Sequence, residues 1–291
     1  IIELLDATIK TSHDIERNNL TVLGVIPSIG SDNYDESNKF INKINIFSNN
    51  QSVKGGLKRR LITREDPRSP VSEAYRSLRT SMLYTGIDKK TRSILVSSAG
   101  PGEGKTTTVA NMAITYANLG KKTLLIDTDL RRPVVHKVMD LDKEPGITNY
   151  LAGNIEDFNK LVKPTDIKNL FAVTSGIIPP NPSELLGSQR MADLINNLEK
   201  DWDMILFDSP PLVAVTDATM VSKAIDCIVI VIKVGQTDKK AFEHTIQSLR
   251  NVNAPIQGVV LNAVTHKNSY GSYYYYYQYY NYYGSEKDIK S

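Results

Sequence analysis

From about residue 65 to residue 264, hydrophobic positions gather into short, nearly unbroken runs separated by helical segments. The runs are SILVSS (93–98), KTLLID (122–127), LFAVTS (170–175), DMILFD (203–208), CIVIVIKV (227–234) and GVVLNAV (258–264). They are rich in β-branched residues and lack the polar alternation of a half-exposed strand. Strands buried on both faces look like this, so the pattern predicts an α/β fold: a mainly parallel sheet with helices on both sides. Cys227 opens one of these runs and reads as a core thiol without chemistry.

The flanks differ. Residues 1–30 begin with IIELLDATIKTSHDIE, whose apolar spacing predicts an amphipathic helix, followed by a short strand TVLGVIP stopped at Pro27. Residues 31–64 are rich in Asn, Ser, Lys and Asp, which is linker composition. The linker ends in KGGLKRRLITR, five basic residues without an acid. Read plainly, this stretch is solvated; the sharper reading holds it against anionic lipid headgroups, at about 1 kcal/mol per basic residue near the surface. At the other end, ten of the fifteen tyrosines crowd into SYGSYYYYYQYYNYYG: Tyr270, Tyr273, Tyr274, Tyr275, Tyr276, Tyr277, Tyr279, Tyr280, Tyr282 and Tyr283. No amphipathic period organises them, so residues 265–291 read as a disordered, tyrosine-rich tail.

Composition narrows the function classes. Of 291 residues, 41% are hydrophobic, near the globular norm, so whole-chain disorder is excluded. A net charge of +3 is too balanced to argue for a nucleic-acid binder. One cysteine precludes an internal disulfide framework and fits a reducing compartment. No run of about 18 apolar residues crosses a bilayer. The first residue is Ile1 and no signal-peptide pattern follows, so the chain is expected to be part of something longer.

The chemistry sits in AGPGEGKT (99–106), placed between the strand SILVSS and the helix beginning TTVANMAITYANLG. This is a P-loop with Ala99 at the usual first glycine. Gly102 and Gly104 let backbone N–H groups turn toward a polyphosphate, and the following helix presents its positive end. Lys105 is placed to reach the β- and γ-phosphates, and the Thr106 hydroxyl to ligate Mg²⁺. Gly100, Glu103 and Thr107 complete the candidate nucleotide cradle. Two further strands end in aspartate, LLID at Asp127 and ILFD at Asp208, at the edge where open α/β sheets bind ligands. Asp208 suits the Mg²⁺ shell. Asp127 and Asp129, in DTDLRR, form a second acidic pair. Alone they read as a cap or a solvated turn, but beside a P-loop a carboxylate free of the metal is able to accept a hydroxyl proton. Arg131 is placed to stabilise transferred charge or to serve a neighbouring subunit.

Together these motifs resemble the bacterial tyrosine kinases that partner the polysaccharide co-polymerases of capsule and exopolysaccharide export. The resemblance covers roughly residues 65–291 and includes EAYRSLR, which matches the family's E-x-x-R-x-x-R helix with Glu73, Arg76 and Arg79 on one broad face. By themselves these three make an intrahelical ion pair; the resemblance implies a subunit contact that builds a ring. It also implies that Lys105 and Thr106 bind ATP phosphates and Mg²⁺. Asp127 then orients or deprotonates the incoming tyrosine and joins the metal site, Asp129 supports it, Asp208 serves the metal, and the tail tyrosines are phosphoacceptors. Asn262 matches an adenine-contacting asparagine of related P-loop ATPases, or is simply a strand-end turn residue. Residues 1–30 look like the membrane-proximal end of the co-polymerase, and residues 65–264 like the kinase domain. The implied setting is the cytoplasmic face of a bacterial plasma membrane, with this fragment itself soluble. Implied partners are a second copy of the chain, a co-polymerase region on the same native chain, a tyrosine phosphatase and sugar-nucleotide enzymes; nucleic acid is not among them. One departure is that some Gram-negative members carry a tyrosine where Val134 stands here, so that internal phosphorylation site does not operate. PPNPSELLG (179–187) also looks like a family motif, without a physical account. Two rivals remain: a partitioning or division-site ATPase, whose signature lysine is replaced here by Gly100, and a non-catalytic ATP-binding scaffold with an adhesive tail.

Overall fold

The computed structural model describes residues 6–28, 61–85, 91–212, 217–222 and 224–265. Its centre is a sheet of strands β1 (Val22–Pro27), β2 (Ser93–Ser98), β3 (Thr123–Asp127), β4 (Lys163–Pro164), β5 (Leu170–Val173), β6 (Met204–Asp208), β7 (Cys227–Lys233) and β8 (Ile256–Val264). The spatial order is β1-β8-β7-β2-β6-β3-β5-β4. Every neighbouring pair is parallel except β4 with β5. All six apolar runs of the sequence are strands, as their composition predicts.

Strand periodicity explains why these runs are hydrophobic throughout. Leu95, Leu124, Ile126, Ile205, Phe207, Ile228, Ile230 and Leu261 join one core. Their neighbours Ile94, Val96, Leu125, Leu206, Val229 and Val260 join the other. Successive side chains point to opposite faces, so a strand covered on both sides has no polar position to spare. Each such side chain contributes about 1.5–3 kcal/mol on burial. On the second face lie α3 (Pro70–Thr85), α4 (Lys105–Asn118) and α5 (Val135–Val138). On the first lie α6 (Ile147–Leu151), α7 (Pro182–Leu186), α8 (Gln189–Asp201), α9 (Asp217–Ser222) and α10 (Lys239–Asn251). Side-chain caps set two of the starts: Ser188 accepts from the Met191 N–H, and Asp238 from the Ala241 N–H. Among the described residues, no helix is long and apolar enough to cross a membrane.

The amino-terminal region departs from the sequence expectation. Instead of a helix over 1–16, the described part has a single helical segment, α1 (Ser12–Glu16), which begins where Asp14 accepts the Thr11 N–H at 3.1 Å. Residues 7–9 run extended along the turn after β7. The Ile9 N–H donates to Thr237 O at 2.8 Å, Gly235 N–H to Ile9 O at 2.9 Å, and Lys239 N–H to Ala7 O at 2.8 Å. Those backbone groups are taken by a distant loop and Ile9 is buried, so the local helical preference loses. β1 then pairs with β8 and extends the sheet to residues well before 65. At the end of the linker composition, α2 (Ile62–Glu65) forms a turn in which Thr63 N–H and hydroxyl both donate to Asn111 Oδ1. Residues 31–60, including Lys54, Lys58, Arg59 and Arg60, lie outside the described residues, and so does the tail from residue 266.

Candidate active site

The site forms where β2, β3 and β6 end side by side. Register does the assembly: Val96 of β2 and Asp127 of β3 both pair with Asp208 of β6. The two aspartates that finish separate strands therefore meet at one carboxyl edge, three residues ahead of the P-loop. β2 enters the loop through buried Ala99, and Gly104 (φ +96°) turns the chain into α4. A Cβ on Gly104 would come within 2.1 Å of Asn262 Nδ2, and its backbone lies in the left-handed region, so only glycine fits.

Thr106 opens the helix just behind, and its hydroxyl donates to Asp208 Oδ2 at 2.6 Å. Lys105 Nζ lies 2.8 Å from Asp129 Oδ2 and 3.9 Å from Asp208 Oδ1, with its side chain 13% exposed. Asp127 is fully buried; its Oδ1 accepts the Asp129 N–H at 3.2 Å and its Oδ2 the Val135 N–H at 3.1 Å. Asp129 accepts the Arg132 N–H at 3.0 Å. Behind the strands, Thr128 fixes the Asp208 backbone by donating its N–H and its hydroxyl to the Asp208 carbonyl.

Three carboxylates thus face a single ammonium in a nearly closed site. Burial pushes the Asp208 carboxyl up to about 6, with Lys105 and the Thr106 hydroxyl pulling it back. Burial, and then the charges of Asp208 and Asp129, raise Asp127 well above the ordinary carboxylate range. Burial alone would lower Lys105, but the carboxylates of Asp208 and Asp129 outweigh it, so the ammonium persists. An over-negative cluster beside a polyphosphate cradle needs a further cation to hold the polyphosphate. Oxygen donors are available: Asp208 Oδ1 is buried with no hydrogen-bond partner, and the Thr106 hydroxyl lies beside its twin oxygen. Among the described residues no group of three acidic, histidine or cysteine side chains could hold a metal ion. An ion held at Thr106 and Asp208 by one or two protein oxygens, with phosphate and water completing its shell, would be the usual Mg²⁺ arrangement.

The cleft above has a volume of about 410 Å³ and is lined by Gly102, Gly104, Lys105, Thr106, Thr107 and Asp129, with Arg132, Val134 and Pro211 at its walls. Arg132 escaped the sequence reading, which singled out Arg131. Two successive arginines give no local signal as to which one faces the cleft; the turn at Asp129 decides. Arg131 points elsewhere, its Nη2 3.3 Å from Ser183 Oγ. That contact brings PPNPSELLG against the DTDLRR loop. Asn262 approaches the P-loop from β8, donating Nδ2 to the Glu103 carbonyl at 2.8 Å. Gly100 and Glu103 shape the loop's floor rather than its rim. Of the helix trio, Glu73 and Arg76 form an outward ion pair at 2.7 Å, whereas Arg79 Nη1 turns inward to the Thr115 carbonyl at 2.6 Å. The tyrosine cluster lies outside the described residues.

Comparisons with known proteins bear on the family and the fold. A family model described as an AAA domain matches residues 91–258. The tyrosine-protein kinase YwqD of Bacillus subtilis is 38% identical over 206 residues, covering 71% of this chain and 86% of the relative. The Escherichia coli tyrosine-protein kinase Etk is 30% identical over 91% of this chain, which spans only 36% of that longer protein. Among solved structures, the chimerical protein CapA2B2 superposes with a TM-score of 0.74 at 31% identity, over 87% of this chain and 99% of that one.

Proposed function

The chain belongs to the bacterial tyrosine kinases, and on that footing we propose that it transfers the γ-phosphoryl group of Mg²⁺-bound ATP to the tyrosines of its own carboxyl-terminal cluster, from one subunit of a ring to the next. The observation that carries the reading is the junction of Lys105, Thr106, Asp127, Asp129 and Asp208 at the mouth of the P-loop. Phosphoryl transfer needs in-line positioning and neutralisation of charge more than covalent help.

Each residue then has a role. Amides of the loop and the amino end of α4 cradle the phosphates. Lys105, released from Asp129 as phosphate enters, follows the charge that develops on the transferred group. Thr106 and Asp208 hold the metal, which supplies charge neutralisation across the phosphates when bound. Asp127 takes the tyrosine hydroxyl proton or orients that hydroxyl, with Asp129 supporting the loop. Arg132 lines the cleft where the phosphates would lie, and Arg131 beside it is held by Ser183. Phosphotyrosines add about −1.5 to −2 charges each, so a modified tail is expelled from a neighbour's acidic site and the ring loosens. Glu73 and Arg76, exposed on α3, are the ring contacts in this reading. The wider setting is the control of capsule or exopolysaccharide export, with a co-polymerase as membrane partner, a phosphatase as reset, and sugar-nucleotide enzymes as further substrates.

Mass-spectrometric mapping after incubation with Mg-ATP, beside a Lys105→Met control, tests the reaction. Phosphate within Tyr270–Tyr283 of the parent, with none in the control, is the expected result. ATP hydrolysis without tyrosine modification would overturn the kinase reading of the tail and leave an ATPase.

A further inference from the structure

The P-loop contains a glutamate whose side chain does not face the cleft. Glu103 is 3% exposed, and its Oε1 accepts the Thr237 hydroxyl proton at 2.7 Å. Oε2 is buried without a hydrogen-bond partner. Burial raises the carboxyl's pKa, while Thr237 and the amides of Gly100 and Ala99 draw it down again. A Cβ on Gly100 would come 3.2 Å from Oε1, so the glycine leaves the space that the carboxyl occupies.

Thr237 belongs to the turn between β7 and α10 and is itself buried. Its hydroxyl accepts the Lys233 N–H at 2.9 Å, which leaves the single hydroxyl proton directed at Glu103. Its own N–H donates to the Lys233 carbonyl at 2.9 Å. The donor is therefore held in place before the carboxyl uses it. Asn262 grips the same residue from the other side, through the Glu103 carbonyl. A buried carboxyl with one unsatisfied oxygen destabilises the fold, so its presence beneath an anion-binding loop calls for a return outside stability.

We infer that Glu103 and Thr237 are positioning residues for nucleotide binding: the carboxyl ties the floor of the P-loop to the turn after β7 through the Thr237 hydroxyl, while Asn262 holds the same residue by its carbonyl. Gly102, Gly104, Lys105, Thr106 and Thr107 of the loop held in this way line the cleft. The inference rests on the nucleotide reading of the P-loop and adds residues that never touch the ligand.

The test measures Mg-ATP affinity by calorimetry, KM for ATP, kcat, and the Tm of the nucleotide-free chain for the parent, Thr237→Val, Thr237→Ser and Glu103→Gln. Thr237→Val should weaken Mg-ATP binding and raise KM about tenfold, with kcat changed less than about twofold. Thr237→Ser, which keeps the hydroxyl, should bind within about twofold of the parent. In Glu103→Gln the charge is lost and one oxygen becomes an NH₂ donor, so the tie to the Thr237 hydroxyl weakens. Affinity should therefore fall about fivefold while Tm holds or rises, a divergence that a purely structural role would not produce. If Thr237→Val fails to fold, Glu103→Gln decides alone. Parental affinity in Glu103→Gln, or equal damage in the serine and valine variants, overturns the inference. A parent that does not bind Mg-ATP removes the nucleotide reading, and the positioning role with it; a parent that binds beside unaffected variants removes the positioning role only.

Discussion

Two sets of opposite charges stand on this molecule in contrasting surroundings. On α3, Glu73 and Arg76 pair at 2.7 Å with side chains 51% and 35% exposed. At the sheet edge, Lys105 meets Asp129 at the nearly equal distance of 2.8 Å, with exposures of 13% and 4% and two more buried aspartates at hand. The surface pair contributes about 0–1 kcal/mol and would be given up at little cost. The buried set carries more negative charge than its one ammonium balances and so works against folding. Equal geometry thus means different things: water makes the first pair cheap, and its exclusion makes the second a site waiting for ligand charge. Arg79 stands between the two, on the helix of the first but bonded inward to the P-loop helix.

The largest expected effect separates the two sets outright. Lys105→Met should lower phosphotyrosine formation by about 10²–10³-fold or more, because it removes the buried ammonium placed to follow the transferred group. Arg76→Ala should leave Mg-ATP binding at parental affinity, alter the oligomer seen in sedimentation and lower transfer only as far as the ring is lost; weakened Mg-ATP binding in Arg76→Ala would break the comparison. Asp208→Asn should also abolish transfer, yet not destabilise the nucleotide-free fold at neutral pH.

The pH dependence sharpens that point. The Asp208 carboxyl lies at about 6 in the fold against an ordinary 3.8. A raised carboxyl pKa means that the fold keeps a proton which the unfolded chain releases. The stability from this group is therefore full below about pH 4 and is lost as pH rises through about 6. The asparagine variant lacks this loss. It should gain on the parent by on the order of 2 kcal/mol between about pH 4 and pH 7, read by urea unfolding at the two values. A pH-independent difference would contradict the buried, over-negative cluster. The smallest effect tests the intermediate residue: Arg79→Ala should cost about 1–2 kcal/mol through its lost bond to Thr115, against about 0–0.5 kcal/mol for Arg76→Ala. Equal costs would place Arg79 with the surface pair after all.

Much of this was legible in the residues alone. The six buried strands announced themselves because a strand covered on both faces must be apolar at every position, and that is a local property. The P-loop was equally plain, since strand, loop, Lys-Thr and helix follow one another along the chain, and the acids at 127 and 208 advertised themselves as breaks at the ends of apolar runs. The helix that the spacing predicts over residues 1–16 gives way at residues 7–9 for the converse reason. Its apolar spacing was real, but residues 7–9 give their hydrogen bonds to a turn more than two hundred positions away. No local pattern distinguished Arg131 from Arg132, or inward Arg79 from outward Arg76. None indicated that Glu103 would turn under its own loop to meet Thr237, 134 positions on. The sequence by itself determined the elements, the sheet class and the chemical inventory of the site, because periodicity and motif order are written along the chain. The direction in which each polar side chain points was decided only by tertiary structure, because a loop residue turns toward whichever distant donor or acceptor the packed strands bring within about 3 Å.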